Sequence, residues 1–178
     1  ATTRMLFLYA VRVPEDRALG KEGESLRIAL STLDTGRISL AAGAVGLMQR
    51  ALDLSLAYAG ERKQFGKPIA QFQLVQEHLA AMKLDLEAAR LLTSRAAWKK
   101  VKGEPYTLEA SLAKLFASEA ANRVAYRAIQ VHGGYGFFEE YEVARLYRDA
   151  RILTLYEGTS EVQKLIIGAH LTGVRAFA

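Results

Sequence analysis

Between Ser25 and Gly60, apolar residues recur at alternating steps of three and four: Leu26, Leu30, Leu33, Leu40, Ala44, Leu47, Ala51, Leu54 and Tyr58, with position 37 alone out of step. That spacing predicts one unusually long helix ending near Gly60. A stripe of this length has to be covered by other helices. A second stripe supplies one: Phe72, Val75, Leu79, Met82, Leu86, Ala89, Thr93 and Ala96, ending near Gly103. Pro105 and Thr107 open a third helix with core positions Leu112, Leu115, Phe116, Val124 and Ile129, closed by Gly133 and Gly134. A shorter fourth covers Tyr141 to Leu153, and a fifth starts around Thr159 with Val162, Leu165, Ile166 and Ala169 inward. Three helices longer than 20 residues on short connections predict an all-α fold, an antiparallel helical bundle.

Residues 4–13 are different. They are rich in β-formers and stop at Pro14, which predicts one strand followed by a loop from Glu15 to Gly23. A lone strand cannot satisfy its own edges, so its sheet partners are expected upstream. Ala1 is not an initiator methionine, and the sequence reads as a fragment: a strand remnant and linker at 1–24, then the bundle at 25–178.

Several function classes drop out. Without cysteine there is no disulfide, thiolate metal site or cysteine nucleophile. His78, His132 and His170 lack a second histidine at metal spacing, so no metal is expected. The net charge of +5 is dispersed, and its densest run, Lys99-Lys100-Val101-Lys102, suits a helix C-terminus rather than nucleic acid. No apolar run reaches the ~20 residues of a membrane span, and no signal peptide is visible.

Four features are left over by the packing. Arg37 sits on the first stripe where a bundle wants an apolar side chain, with Asp34 one turn earlier; the pair is either an intrahelical ion pair or a charge facing a ligand. Glu61-Arg62-Lys63-Gln64-Phe65-Gly66-Lys67-Pro68 is a connection with three cations, either ordinary loop polarity or an anion site. Gln130-Val131-His132-Gly133-Gly134-Tyr135-Gly136 follows a helix, so its glycines are caps or places of close ligand approach. Last is Tyr156-Glu157-Gly158-Thr159-Ser160-Glu161. Thr159 or Ser160 can cap the fifth helix, which leaves Glu157 behind the apolar run Ile152 to Tyr156, a setting that suits a general base.

In this order, the four features resemble the acyl-CoA dehydrogenase family over essentially the whole chain. Val11-Arg12-Val13-Pro14 with Leu19-Gly20 resembles the exit from the family's middle β-domain, and Leu33-Asp34-Thr35-Gly36-Arg37 with Ala41 to Gly46 resembles its first long C-terminal helix. Glu61 to Gly66, Gln130 to Gly136 and Tyr147 to Glu161 are similar to its most characteristic motifs. The resemblance implies FAD and α,β-dehydrogenation of an acyl-CoA thioester, Glu157 removing the α-proton while the β-hydrogen passes as hydride to flavin. It implies that the base's own backbone N–H helps polarise the thioester carbonyl. It implies FAD contacts at Arg62, Lys63, Gln64, Phe72 and Gln73 across a dimer interface, at Gln130, Val131, His132, Gly133 and Gly134 beside the adenosine, and at Thr159, Ser160 and Glu161 next to the base. Asp34, Arg37 and Gly158 would meet the acyl-CoA.

Two departures narrow the resemblance. Members similar to isovaleryl-CoA dehydrogenase carry the base on the first long helix just before the arginine; here that place is Gly36, as in short-, medium- and short-branched-chain members. Nothing matches the family's N-terminal helical domain or most of its β-domain, so these residues alone are expected to be inactive. The resemblance further implies a homotetramer, electron transfer to an electron-transferring flavoprotein, and a bacterial cytoplasmic or mitochondrial matrix location. Two other classes stay open: a non-catalytic helical module for oligomerisation or partner-subunit use, and an acyl-CoA oxidase.

Overall fold

A computed structural model describes residues 4–175. It contains five α-helices: α1 (Ser25–Glu61), α2 (Gln73–Val101), α3 (Thr107–His132), α4 (Glu142–Ile152) and α5 (Ser160–Thr172). The helix order and ends follow the periodicity closely. Between α1 and α2 the chain forms a two-stranded antiparallel ribbon, β1 (Lys63–Gln64) and β2 (Lys67–Pro68), paired Lys63 to Pro68 and Gln64 to Lys67.

Three of the helices stop at or beside a glycine of positive φ. At the end of α2, Gly103 has φ +72°, its N–H donates to Lys100 O and that of Glu104 to Lys99 O, the paired closure that satisfies the last carbonyls of a helix. Gly133 (φ +62°, ψ −142°) ends α3 and Gly173 (φ +71°, ψ +3°) ends α5, both at positive φ, where a Cβ is unfavourable.

α3 lies at the centre and packs against α1, α2, α4 and α5. Its core is made of small side chains: Ala110, Ala113, Ala117, Ala120, Ala121, Ala125 and Ala128 are all fully buried, together with Val124. This corrects the sequence reading. Leu112, Leu115, Phe116 and Ile129 are only half-buried, because a helix surrounded on several sides needs small residues where its neighbours come closest. Ala120→Leu is therefore expected to destabilise the fold by about 1–3 kcal/mol through overpacking, read as a lower denaturant midpoint.

Three other expectations change. Residues 4–13 form no strand; they run irregular and exposed and pair with no other described segment. Leu26 and Leu30 are 69% and 52% exposed, because the first turns of α1 extend beyond the rest of the bundle. On α5, Leu165 is exposed while Ser160 and Gln163 are buried, which turns a polar face of that helix toward α3. Between helices, Arg50 pairs with Glu142 to tie α1 to α4, and Asp85 takes both Arg123 and Arg127 to tie α2 to α3.

Candidate active site

The apolar run before Glu157 ends α4, and α5 restarts at Ser160 under Thr159, whose side-chain oxygen accepts from Val162 N. Between them Glu157 and Gly158 both take positive φ, +60° and +86°. A glutamate in that region is uncommon and persists where its surroundings hold it. Here the surroundings are donors from three helices. Arg37 Nε of α1 reaches Glu157 O at 3.3 Å. Gln163 Nε2 of α5 reaches Glu157 O and Gly158 O, both at 3.1 Å. Lys114 Nζ of α3 donates to Gly158 O at 2.7 Å.

The Glu157 side chain then settles on Gly36. A Cβ built at Gly36 would lie 2.6 Å from Glu157 Oε2 and 2.9 Å from Oε1. The bare helix surface that the sequence showed at position 36 is thus the seat of the carboxylate. Glu157 Oε2 is buried without a hydrogen-bond partner, and the Glu157 N–H makes no backbone hydrogen bond among the described residues. One buried acceptor and one unengaged donor stand on the same residue.

Arg37 is 5% exposed and pairs through NH1 with Asp34 Oδ1 at 2.8 Å. The other carboxylate oxygen of Asp34 accepts from Thr107 Oγ1 at 2.6 Å. The ion-pair reading of position 37 is what the structure shows, and the guanidinium also holds the backbone of Glu157. Asp34, engaged through both oxygens, orients that arginine.

At the other end of α1, a cleft of about 590 Å³ is lined by Tyr58, Arg62, Gln64, Ile69, Gln130 to Tyr135 and Phe138. Arg62 lies over the Tyr135 ring at 5.5 Å. His132 is buried, stacks on Tyr58 with ring centroids 4.4 Å apart, and its Nδ1 meets Ala128 O at 2.8 Å. A neutral ring with the proton on Nδ1 makes that bond. Burial holds His132 below its ordinary pKa of 6.5, with the bond to Ala128 opposing. As pH falls below 6.5 the unfolded chain takes up a proton that the folded imidazole resists, so stability is expected to fall on acidification. Replacing His132 with Phe should shrink that dependence, measured as Tm between pH 7 and 5.

The cleft gathers Arg62, Gln64, Gln130, Val131, His132, Gly133 and Gly134, but not the rest. Lys63 and Gln73 are exposed elsewhere on the ribbon and at the start of α2, and half-buried Phe72 lies under Lys67 at 4.5 Å. Thr159, buried Ser160 and exposed Glu161 stand with Glu157 at the start of α5. The two groups are far apart: Arg37 to Tyr58 is about 32 Å of helix rise.

Two residues beside Glu157 and Gly158 were not singled out from the sequence. Lys114 and Gln163 are both fully buried. The signal for Lys114 was present, since it stands between Ala110 and Ala117 on one helix face, the anomaly that drew attention to Arg37. Among the described residues no helix is long and apolar enough to cross a membrane, and no group of metal-ligating side chains occurs.

The family model for the acyl-CoA dehydrogenase C-terminal domain matches residues 23–172. The chain belongs to the acyl-CoA dehydrogenase family. It is 50% identical over 96% of its length to a probable acyl-CoA dehydrogenase, YngJ, of Bacillus subtilis, covering 45% of that protein. It is 48% identical to the short-chain specific mitochondrial acyl-CoA dehydrogenase of Bos taurus, covering 96% of this chain and 42% of that one. Among solved structures, butyryl-CoA dehydrogenase from Megasphaera elsdenii superposes with a TM-score of 0.88 at 49% identity, over 89% of this chain and 42% of that one. The chain therefore spans less than half the length of the relatives it matches.

Proposed function

We propose that the protein carrying this chain is a flavin-dependent acyl-CoA dehydrogenase in which Glu157 removes the α-proton of an acyl-CoA thioester. The observation that carries this is the seating of Glu157: a carboxylate placed on bare helix at Gly36, with one buried oxygen unpartnered and the residue's own N–H unengaged. An α-proton beside a thioester is only weakly acidic. A base there needs a donor that polarises the carbonyl as the carbanion charge develops. The Glu157 N–H is such a donor, and the grip on the Glu157 and Gly158 carbonyls anchors the turn that carries it. Asp34 and Arg37 act at the acyl-CoA side by holding this turn, and Gly158 leaves room beside the base.

The cleft between the ends of α1 and α3 fits an aromatic nucleotide group: it pairs an arginine and polar amides with ring faces and with glycine backbone open to approach. Arg62, Gln64 and Gln130 to Gly134 would hold the adenosine side of FAD, and Thr159 to Glu161 its portion beside the base. FAD when bound supplies the hydride acceptor. The separation of cleft and base along α1 is too long for one dinucleotide to bridge, which supports a site shared between copies of the chain. The ribbon fits that reading. Phe65, at its tip, is 91% exposed and held at φ +50°, and Lys63, Phe72 and Gln73 flank it, an exposed set that supports contact with a neighbour's cofactor.

Residues 1–24 are then the end of a middle β-domain and its linker. The whole protein would be a dimer of dimers, pass electrons to an electron-transferring flavoprotein, and work in a bacterial cytoplasm or mitochondrial matrix. The test is the spectrum and turnover of the full-length protein. Flavin bands near one per chain, with acyl-CoA reducing them and an electron-transferring flavoprotein reoxidising them, are expected. Peroxide formed at the rate of turnover would identify an oxidase instead, and a colourless, inactive protein would leave a helical assembly module.

A further inference from the structure

We infer that Lys114 is a positioning residue for the base: with Gln163 and Arg37 it holds the carbonyls of the Glu157-Gly158 turn and so sets where the Glu157 Cα, and with it the carboxylate, stands. The inference rests on the dehydrogenase reading of Glu157. Lys114 is the largest fully buried side chain among the described residues, and no carboxylate forms an ion pair with it there. Among the described residues its ammonium makes one hydrogen bond, the 2.7 Å bond to Gly158 O. A lysine that served packing alone would be better replaced by an apolar side chain of the same volume. The charge is instead directed at one carbonyl in a backbone of two successive positive φ angles.

Three helices converge on that turn with one side chain each. Arg37 comes from α1, Lys114 from α3 and Gln163 from α5, and together they fill the acceptor sites of Glu157 O and Gly158 O. With both carbonyls held, the peptide planes cannot rotate. The Glu157 Cα is anchored by the peptide that follows it, and its side chain leaves the carboxylate against Gly36. Lys114 touches the turn only through Gly158 and acts on catalysis through Glu157.

The charged groups facing Lys114 are Arg37 from α1, Glu157 from the turn, Glu161 from α5 and Glu119 from α3 itself. Burial, then Arg37, pushes the lysine down to about 8, and the three carboxylates oppose this. Above that pH the grip on Gly158 weakens to a neutral hydrogen bond. The fold does not weaken with it. The folded lysine binds its proton less tightly than an unfolded one at 10.5, so this residue's contribution to stability rises between pH 8 and 10.5. An alkaline loss of turnover from Lys114 would therefore occur without unfolding.

The test is made on the flavin-loaded holoenzyme with wild type, Lys114→Met and Lys114→Arg, following kcat, KM, flavin content and Tm from pH 6.5 to 9.5. Wild-type kcat is expected to fall with one proton near pH 8 while Tm holds or rises. Lys114→Met should lower kcat at pH 7 about 10- to 100-fold, with KM and flavin content little changed and the limb near pH 8 gone. Lys114→Arg should recover part of kcat and remain flat through pH 8. A methionine variant with wild-type kcat and an intact limb overturns the inference while leaving the dehydrogenase reading in place. So does a wild-type profile flat through pH 8, which decides the matter even if neither variant folds. Wild-type protein that binds flavin but does not dehydrogenate acyl-CoA overturns the dehydrogenase reading instead.

Discussion

Replacing Glu157 with Gln is expected to lower turnover of the holoenzyme by about 10²–10⁴-fold, the usual contribution of a positioned general base, while leaving flavin bound and the fold intact. The amide matches the carboxylate in shape, so it still rests on Gly36, and the carbonyl bonds from Arg37, Gln163 and Lys114 involve only backbone. What disappears is the ability to accept a proton. The loss should therefore fall in kcat, with KM and Tm near their wild-type values. A large fall in Tm would mean that the charge of Glu157 supports the fold, a role the geometry does not give it.

Gly36→Ala should produce a related loss by a different route. The new methyl would stand 2.6 Å from Glu157 Oε2, closer than the two can approach. The side chain of Glu157 is the more flexible partner, so the carboxylate moves and the helix does not. Displacement of a reacting group by about 1 Å costs on the order of 100-fold in rate. The same substitution favours the helix, because alanine in a helix interior is better than glycine by about 1 kcal/mol. The expected signature is a protein as stable as wild type, or more so, with kcat about 100-fold lower. Steady-state kinetics and a thermal melt on one preparation check both halves. Loss of stability together with activity would show that Gly36 is needed by the packing of α1 and not by the base.

Much of this was legible in the sequence, for physical reasons that differ from part to part. The helices were readable because the long stripes keep their period over many turns and several ends carry a glycine or a capping residue, as Gly103 and Thr159 show. Position 37 was readable because a charge on an apolar face is conspicuous. Lys114 is the same anomaly on α3 and was hidden by its neighbours, since alanines make a weak apolar stripe. Gln163 was hidden for the opposite reason, because a glutamine near the start of a helix looks solvated. The strand expected at 4–13 was a local preference without a sheet to join. The seating of Glu157 on Gly36 joins residues 121 positions apart, and no local pattern carries a contact of that separation. Site roles came from motif order in the sequence. The geometry adds a physical reason for the residue types at Gly36 and Arg37.

The central claim is that Glu157 takes the α-proton, and exchange of that proton tests it most directly. An acyl-CoA that cannot lose a β-hydrogen is bound to the holoenzyme in D₂O, and deuterium entering the α-carbon is followed by NMR. Wild-type protein is expected to wash in deuterium at the α-carbon and Glu157→Gln to leave it essentially unlabelled, with equal ligand bound. Exchange at the wild-type rate in Glu157→Gln would contradict the account and move the base to another residue.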